Sequence, residues 1–132
     1  MPVTLIHNDC NPRNIALRRD GDGYRLCAYD WELATIGRPQ RDLAELLCFV
    51  LPDDVDAGTV AAWIERHRLA LAVRLARAIP AAEWRAGLRA AMAEFLVDRV
   101  SFYTMIQRVR PQAFLPRVLR TWHRVFAHLE RP

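Results

Sequence analysis

A chain of 132 residues is long enough for one domain with its own core. A domain near this size buries roughly two thirds of its unfolded-chain surface, so disulfides or a structural metal are not needed to hold it together. Nineteen basic against fifteen acidic residues leave a net charge of +4 and a pI near 9.5, which admits polyanions, but no nucleic-acid motif is present. The three cysteines, Cys10, Cys27 and Cys48, are odd in number and widely spaced, which excludes a disulfide framework and a C-x-x-C metal knuckle and points to a reducing cytoplasm. No signal segment is visible and no apolar run approaches the ~20 residues of a membrane helix.

In chain order, Val3 to Ile6 is a short, mostly apolar run with three β-branched residues, read as a strand that delivers His7 and Asp9 to a loop. Asn11-Pro12 keeps that loop out of helix. Asn14 to Arg19 and Tyr24 to Asp30 are expected to form a hairpin around Asp20-Gly21-Asp22-Gly23. Pairing about Asp22 sets Asn14 opposite Asp30, and directly opposed residues have Cβ atoms roughly 4.5 to 5.5 Å apart.

Leu33 to Gly37 reads as a loop and Pro39 as the first residue of a helix that stops near Leu51, before Pro52-Asp53-Asp54. Gly58 to Ala78 suits one helix, or two with a bend. Ala82 to Arg110 makes one long amphipathic helix with Trp84, Leu88, Met92, Phe95, Phe102 and Ile106 on its apolar face. The last helix, Phe114 to Leu129, carries Leu115, Leu119, Trp122, Phe126 and Leu129 inward and an Arg117, Arg120, Arg124 stripe elsewhere.

The chemistry-bearing stretch is His7-Asn8-Asp9-Cys10-Asn11-Pro12-Arg13-Asn14, followed by Asp30-Trp31-Glu32. H-x-D-x-x-x-x-N sets an acid able to accept a hydroxyl proton five residues before an amide oxygen able to ligate magnesium, and phosphoryl transfer needs both. Asp30 is the second acid available to such a metal, which takes oxygen ligands.

These two motifs, with Gly37-Arg38-Pro39-Gln40-Arg41-Asp42-Leu43-Ala44 after the second, resemble the aminoglycoside phosphotransferase and choline kinase-like family, relatives of protein kinases. The resemblance implies Asp9 as catalytic base, His7 as buttress of the loop, Asn14 and Asp30 as holders of Mg²⁺ and of the ATP bound through it, and Asp42 as a brace from the following helix. Glu32 stands either beside the metal or as an exposed salt-bridging acid. The substrate implied is a small molecule with a hydroxyl group.

Two parts of the family pattern do not occur: a glycine-rich phosphate loop, and any lysine, since all nineteen basic residues are arginine. Residues 1–132 are therefore expected to form a single α+β domain. It would be a small antiparallel hairpin with its catalytic loop on a mainly helical bundle, equivalent to the C-terminal lobe of a protein kinase-like fold without its N-terminal lobe. The 52% hydrophobic content leaves apolar surface for an N-lobe partner or a second copy of the chain. The competing expectation is a non-catalytic binding or assembly module that keeps this half-fold.

Glu94 and Asp98, four apart on the long helix, face either a cationic substrate or the arginines Arg89 and Arg99. Cys10, beside the expected base, has no partner in the sequence that would make it a nucleophile.

Overall fold

The computed structural model describes residues 2–131, and its order of elements is β first and helix afterwards. β1 (Thr4–Ile6) leads into the loop that holds His7 and Asp9. One turn of 3₁₀ helix (Pro12–Asn14) ends that loop, and the hairpin β2 (Ile15–Asp20) and β3 (Gly23–Ala28) follows. A second 3₁₀ turn (Trp31–Leu33) and β4 (Thr35–Gly37) lead to the helices α1 (Gln40–Val50), α2 (Ala57–Arg74), α3 (Ala81–Phe95), α4 (Ser101–Gln107) and α5 (Leu115–Glu130). The architecture is α+β, with two small antiparallel sheets against a helical bundle.

The segment read as a loop from Leu33 to Gly37 contains β4, which pairs antiparallel with β1 through Leu5↔Ile36. Three residues are too few for a periodic signal, so only the fold reveals the strand. Gly37 belongs there because a Cβ on it would lie 2.6 Å from Cδ1 of Ile6, the one large apolar side chain that the β part buries.

The hairpin corrects the expected register. Its closing pair is Asp20↔Gly23, so the turn is the two residues Gly21-Asp22. Gly21 has φ +59°, as a tight turn with glycine at its first central position requires. Pairing is thus shifted by one residue, and the Tyr29 N–H, not Asp30, meets the Asn14 carbonyl at 3.0 Å. Every residue from 16 to 26 is exposed, so no buried face dictated the register from the sequence.

The helices hold the core. Leu43, Leu47, Val60, Ile64, Trp84, Leu88, Met92, Phe95, Val118 and Val125 are all buried in one cluster. Asp56 caps α2 by accepting from the Thr59 N–H at 2.9 Å, and Ala76, at φ +48°, turns the chain out of α2. Arg117, expected on the wet stripe of α5, instead donates to the Phe49 and Leu51 carbonyls at 2.9 and 3.1 Å and so closes the C-terminal end of α1. The inward face of α5 is also rotated: Val118 and Val125 are fully buried, while Leu119, Trp122 and Phe126 pack at its margin.

The long helix expected from Ala82 to Arg110 is interrupted. Residues Leu96–Val100 form a π turn between α3 and α4, and the helix ends at Gln107. Buried positions run Leu88, Met92, Phe95 and then, after a gap of five, Val100 and Tyr103. The extra residue moves Phe102, expected inside, to 49% exposure and puts Tyr103 in its place. Among the described residues no helix is long and apolar enough to cross a membrane.

Candidate active site

The loop after β1 is pinned to the helical bundle by α1. The carboxylate of Asp42 accepts the backbone N–H groups of His7 at 2.7 Å and Asn8 at 2.8 Å. Two consecutive N–H groups on one ionised acceptor make strong charge-assisted bonds. They also hold Asn8 in its left-handed conformation, φ +60°. The stretch Gly37 to Ala44 thereby gains a physical meaning: Gly37 admits Ile6, Pro39 starts α1, Asp42 grips the loop, and Leu43 and Ala44 anchor the grip in the core.

His7 is buried, and its Nε2 donates to the Tyr29 carbonyl at 2.8 Å, which ties the loop to the end of β3. Its ring lies against Trp31, centroids 4.6 Å apart. The Tyr29 hydroxyl in turn donates to the Arg13 carbonyl, so the segment before Asp30 is bonded to both ends of the loop.

Asp9 is held on both carboxylate oxygens. Asn14 Nδ2 donates to Oδ2 at 2.7 Å and to the Asp9 carbonyl at 3.0 Å, and Asn11 Nδ2 donates to Oδ1 at 3.1 Å. Asn14 is brought to Asp9 by the 3₁₀ turn, which Asn11 caps by accepting from the Arg13 N–H at 3.1 Å. With its amide nitrogen committed to Asp9, Asn14 keeps its Oδ1 free of recorded hydrogen bonds among the described residues, as an oxygen reserved for a cation would be.

Asp30 is exposed and sits in the left-handed region at φ +62°, where its carboxylate makes no recorded bond among the described residues. Left-handed backbone at a non-glycine residue is costly and clusters at functional sites. An amide oxygen and a free carboxylate are the donors Mg²⁺ takes, its remaining positions being filled by water and phosphate. No group of three or more His, Cys, Asp or Glu that could cage a metal occurs among the described residues. Glu32 is exposed in the 3₁₀ turn and makes no recorded ion pair.

Four residues to which sequence reasoning gave no role beside Asp9 belong to this neighbourhood. Asn11 and Glu45 are buried behind Asp9, with Asn11 Nδ2 3.4 Å from Glu45 Oε1. Burial pushes the Glu45 carboxyl up, the Arg99 guanidinium pulls it down, and the nearby Asp9 raises it again. Arg99, from the π turn, reaches Asp9 Oδ1 at 3.5 Å and donates to the Asn8 carbonyl. Tyr103 accepts from Arg13 at 3.2 Å.

Among the described residues Glu94 and Asp98 form no ion pair with Arg89 or Arg99, one of the alternatives the sequence left open. Asp98 binds Arg41 of α1 at 3.1 Å, and Arg89 binds Glu130 at 3.3 Å. The Cys10 thiol is pushed up to about 12, first by burial and then by Asp42, Glu45 and Asp9, which leaves it no thiolate at neutral pH.

Two clefts open beside Asn8, the neighbour of Asp9. One, of about 480 Å³, lies between the loop and α3, with Arg41, Glu94 and Asp98 on its wall. The other, about 320 Å³, is bounded by Leu33, Arg99 and Phe102. A larger cleft, about 720 Å³, is elsewhere, between the Asp53–Asp56 loop and α5, and none of the residues from His7 to Asn14 lines it. Asn8 is the loop residue that lines both smaller clefts.

Compared with models of protein families, the sequence matches the one described as "Phosphotransferase enzyme family" over residues 1–85, well over half of the chain. Among curated proteins and among solved structures nothing matches.

Proposed function

Because this chain belongs to the phosphotransferase enzyme family, we propose that it forms the catalytic half of an ATP-dependent kinase acting on a small-molecule hydroxyl group. The observation that carries this reading is the Asp9 carboxylate, fixed by the amides of Asn14 and Asn11 on a loop whose backbone is held by Asp42. In this role Asp9 orients the substrate hydroxyl and accepts its proton, and a base held in place contributes by positioning as well as by proton transfer.

Asn14 Oδ1 and Asp30 would hold Mg²⁺, which when bound neutralises charge on the phosphates of the nucleotide. His7, through Tyr29, keeps the Asp30 segment at a fixed relation to the loop. Asp42 braces the loop, and Glu32 lies two residues beyond Asp30, near the metal. The half-fold corresponds to the C-terminal lobe of a protein kinase-like fold. The glycine-rich loop and the lysine that would contact the phosphates come from another segment or subunit, since this sequence has no lysine. The apolar side chains exposed on the β part, among them Val3, Leu5 and Ile36, suit such a neighbour. A cytoplasmic setting, with ATP at hand, fits the three free cysteines.

The test is transfer of labelled γ-phosphate from ATP, with Mg²⁺, to a panel of amino sugars, amino alcohols, sugars and amino acids by the full-length protein. Asp9→Ala is expected to lower the rate by roughly 10²- to 10⁴-fold. Equal rates would remove the assigned base and favour a binding module.

A further inference from the structure

The helix that should run unbroken past Phe95 gains one residue in the π turn Leu96–Val100, and single π turns of this kind are frequent at functional sites. The turn is tied down at three points. The Ser101 hydroxyl donates to the Leu96 carbonyl at 3.2 Å, Val100 is buried, and Asp98 is paired with Arg41 of α1 at 3.1 Å. Between Asp98 and Val100 stands Arg99, whose side chain is only 18% exposed.

Resting on the kinase reading above, we infer that Arg99 is a positioning residue for Asp9: its guanidinium, presented by the π turn, contacts both the Asn8 carbonyl and the Asp9 carboxylate and so fixes the orientation of the base. Asp42 grips the loop through the N–H groups of His7 and Asn8, on the side of α1. Arg99 grips it through the Asn8 carbonyl, from the other helix. Asn8 is thus held through both its N–H and its carbonyl, one residue before the base.

The charge balance supports the same role. The Asp9 carboxylate disfavours the charge of Glu45, and the neutral Asn11 amide is bonded to both side chains. Arg99 attracts both, and the pull on Glu45 opposes that of burial. Without Arg99 two carboxylates would face each other across an amide, and the Asn14 bond to Asp9 would be the remaining constraint on the open side. Both contacts come from one terminal nitrogen of Arg99, Nη2, whose position is set by the planar guanidinium, and a compact ammonium on a shorter stem would reproduce it only in part.

The experiment compares the full-length wild type with Arg99→Gln, which keeps size and a donor but not charge, with Arg99→Lys, and with Arg89→Ala as a control on the same helical stretch. Two readouts are taken. In ¹⁵N spectra the side-chain amide of Asn14, bonded to Asp9, should shift in Arg99→Gln, stay nearer its wild-type place in Arg99→Lys, and not move in Arg89→Ala. In phosphate transfer from Mg²⁺ and ATP, Arg99→Gln should lose roughly ten- to a hundredfold in kcat with little change in KM for ATP, the scale of a misplaced catalytic group. Arg99→Lys should recover part of it.

An Asn14 amide unmoved in Arg99→Gln, or a kcat equal to wild type in an active enzyme, overturns the inference. A wild type without transfer activity whose Asn14 amide still answers to Arg99 supports the positioning contact and counts against the kinase reading alone. Should Arg99→Gln lose its folded spectrum, Arg99→Lys decides: a partial loss of kcat with a displaced Asn14 amide supports the inference, whereas a folded Arg99→Lys whose Asn14 amide is unmoved, whatever its kcat, contradicts it.

Discussion

The β part of this molecule, up to Gly37, and the helical part, from Gln40, are held together by different physics. Every member of the hydrophobic core cluster lies between Leu43 and Leu129. The β part buries one large apolar side chain, Ile6, together with the polar His7, Asn11 and Asn14, and leaves Leu17, Tyr24, Leu26 and Ile36 between 63% and 73% exposed. The seam between the parts is largely polar and charged: Asp42, Glu45, Arg99 and Tyr103 on the helical side meet backbone groups, Asp9, Asn11 and Arg13 on the other. The apolar core therefore resides in the helices, and the loop's geometry is set by a few polar bonds rather than by packing. Such an arrangement lets the site be disturbed without unfolding the chain.

The largest effect that would test this division is in the core. Phe95→Ala removes a fully buried ring and should cost about 3–5 kcal/mol. In urea denaturation this would consume much of the stability of a typical domain, about 5–15 kcal/mol. Asp42→Ala, at the seam, strands the N–H groups of His7 and Asn8 and should cost about 2–3 kcal/mol. Hydrogen exchange would separate the two variants: Asp42→Ala should lose protection at His7 and Asn8 while α3 and α5 keep theirs.

Acid titration of stability should reveal opposite signs on the two sides. His67, stacked on Trp84 in the helical part, has its basicity lowered by burial, with Asp42 opposing. Its contribution is present above the ordinary 6.5 and is lost as pH falls through the lower folded value. Glu45 at the seam is raised above 4.5, chiefly by burial, so its contribution is present below 4.5 and is lost as pH rises through the folded value. His67→Phe should flatten the fall of stability on acidification, and Glu45→Gln should flatten the fall on the way up. Melting temperature against pH measures both.

The smallest effect belongs to the hairpin. Leu17→Thr and Leu26→Thr, cross-strand partners exposed to solvent, should each stay within about 0.5 kcal/mol of wild type. A loss near that of Phe95→Ala would show that the hairpin is packed against something in solution.

Elements with strong local signals were legible in the sequence. Pro39 and Pro52 bracket α1, the helix expected from Gly58 begins within a residue of that point, and the spacing His7, Asp9, Asn14 does come together in one loop. What escaped lacks a local signal. The register of an exposed hairpin depends on its turn alone, and the pair Asp20-Gly23 flanking Gly21-Asp22 could be counted as turn or as strand. The π turn shows only as a gap of five between Phe95 and Val100, which a 3.6-residue period passes over in favour of Phe102. Glu45 and Arg99 reach Asp9 from 36 and 90 residues away in the chain, and spacing carries no information at that range.

The central claim, that Asp9, Asn14 and Asp30 gather about a metal-bound nucleotide, is tested most directly by paramagnetic broadening in ¹⁵N spectra of the full-length protein with Mn²⁺ and ATP. The account predicts that the Asn14 side-chain amide and the backbone amides around Asp30 broaden first, and that Asp30→Ala abolishes this at the same Mn²⁺ concentration. Broadening centred on the Asp53–Asp56 cleft, with Asn14 left sharp, would contradict it.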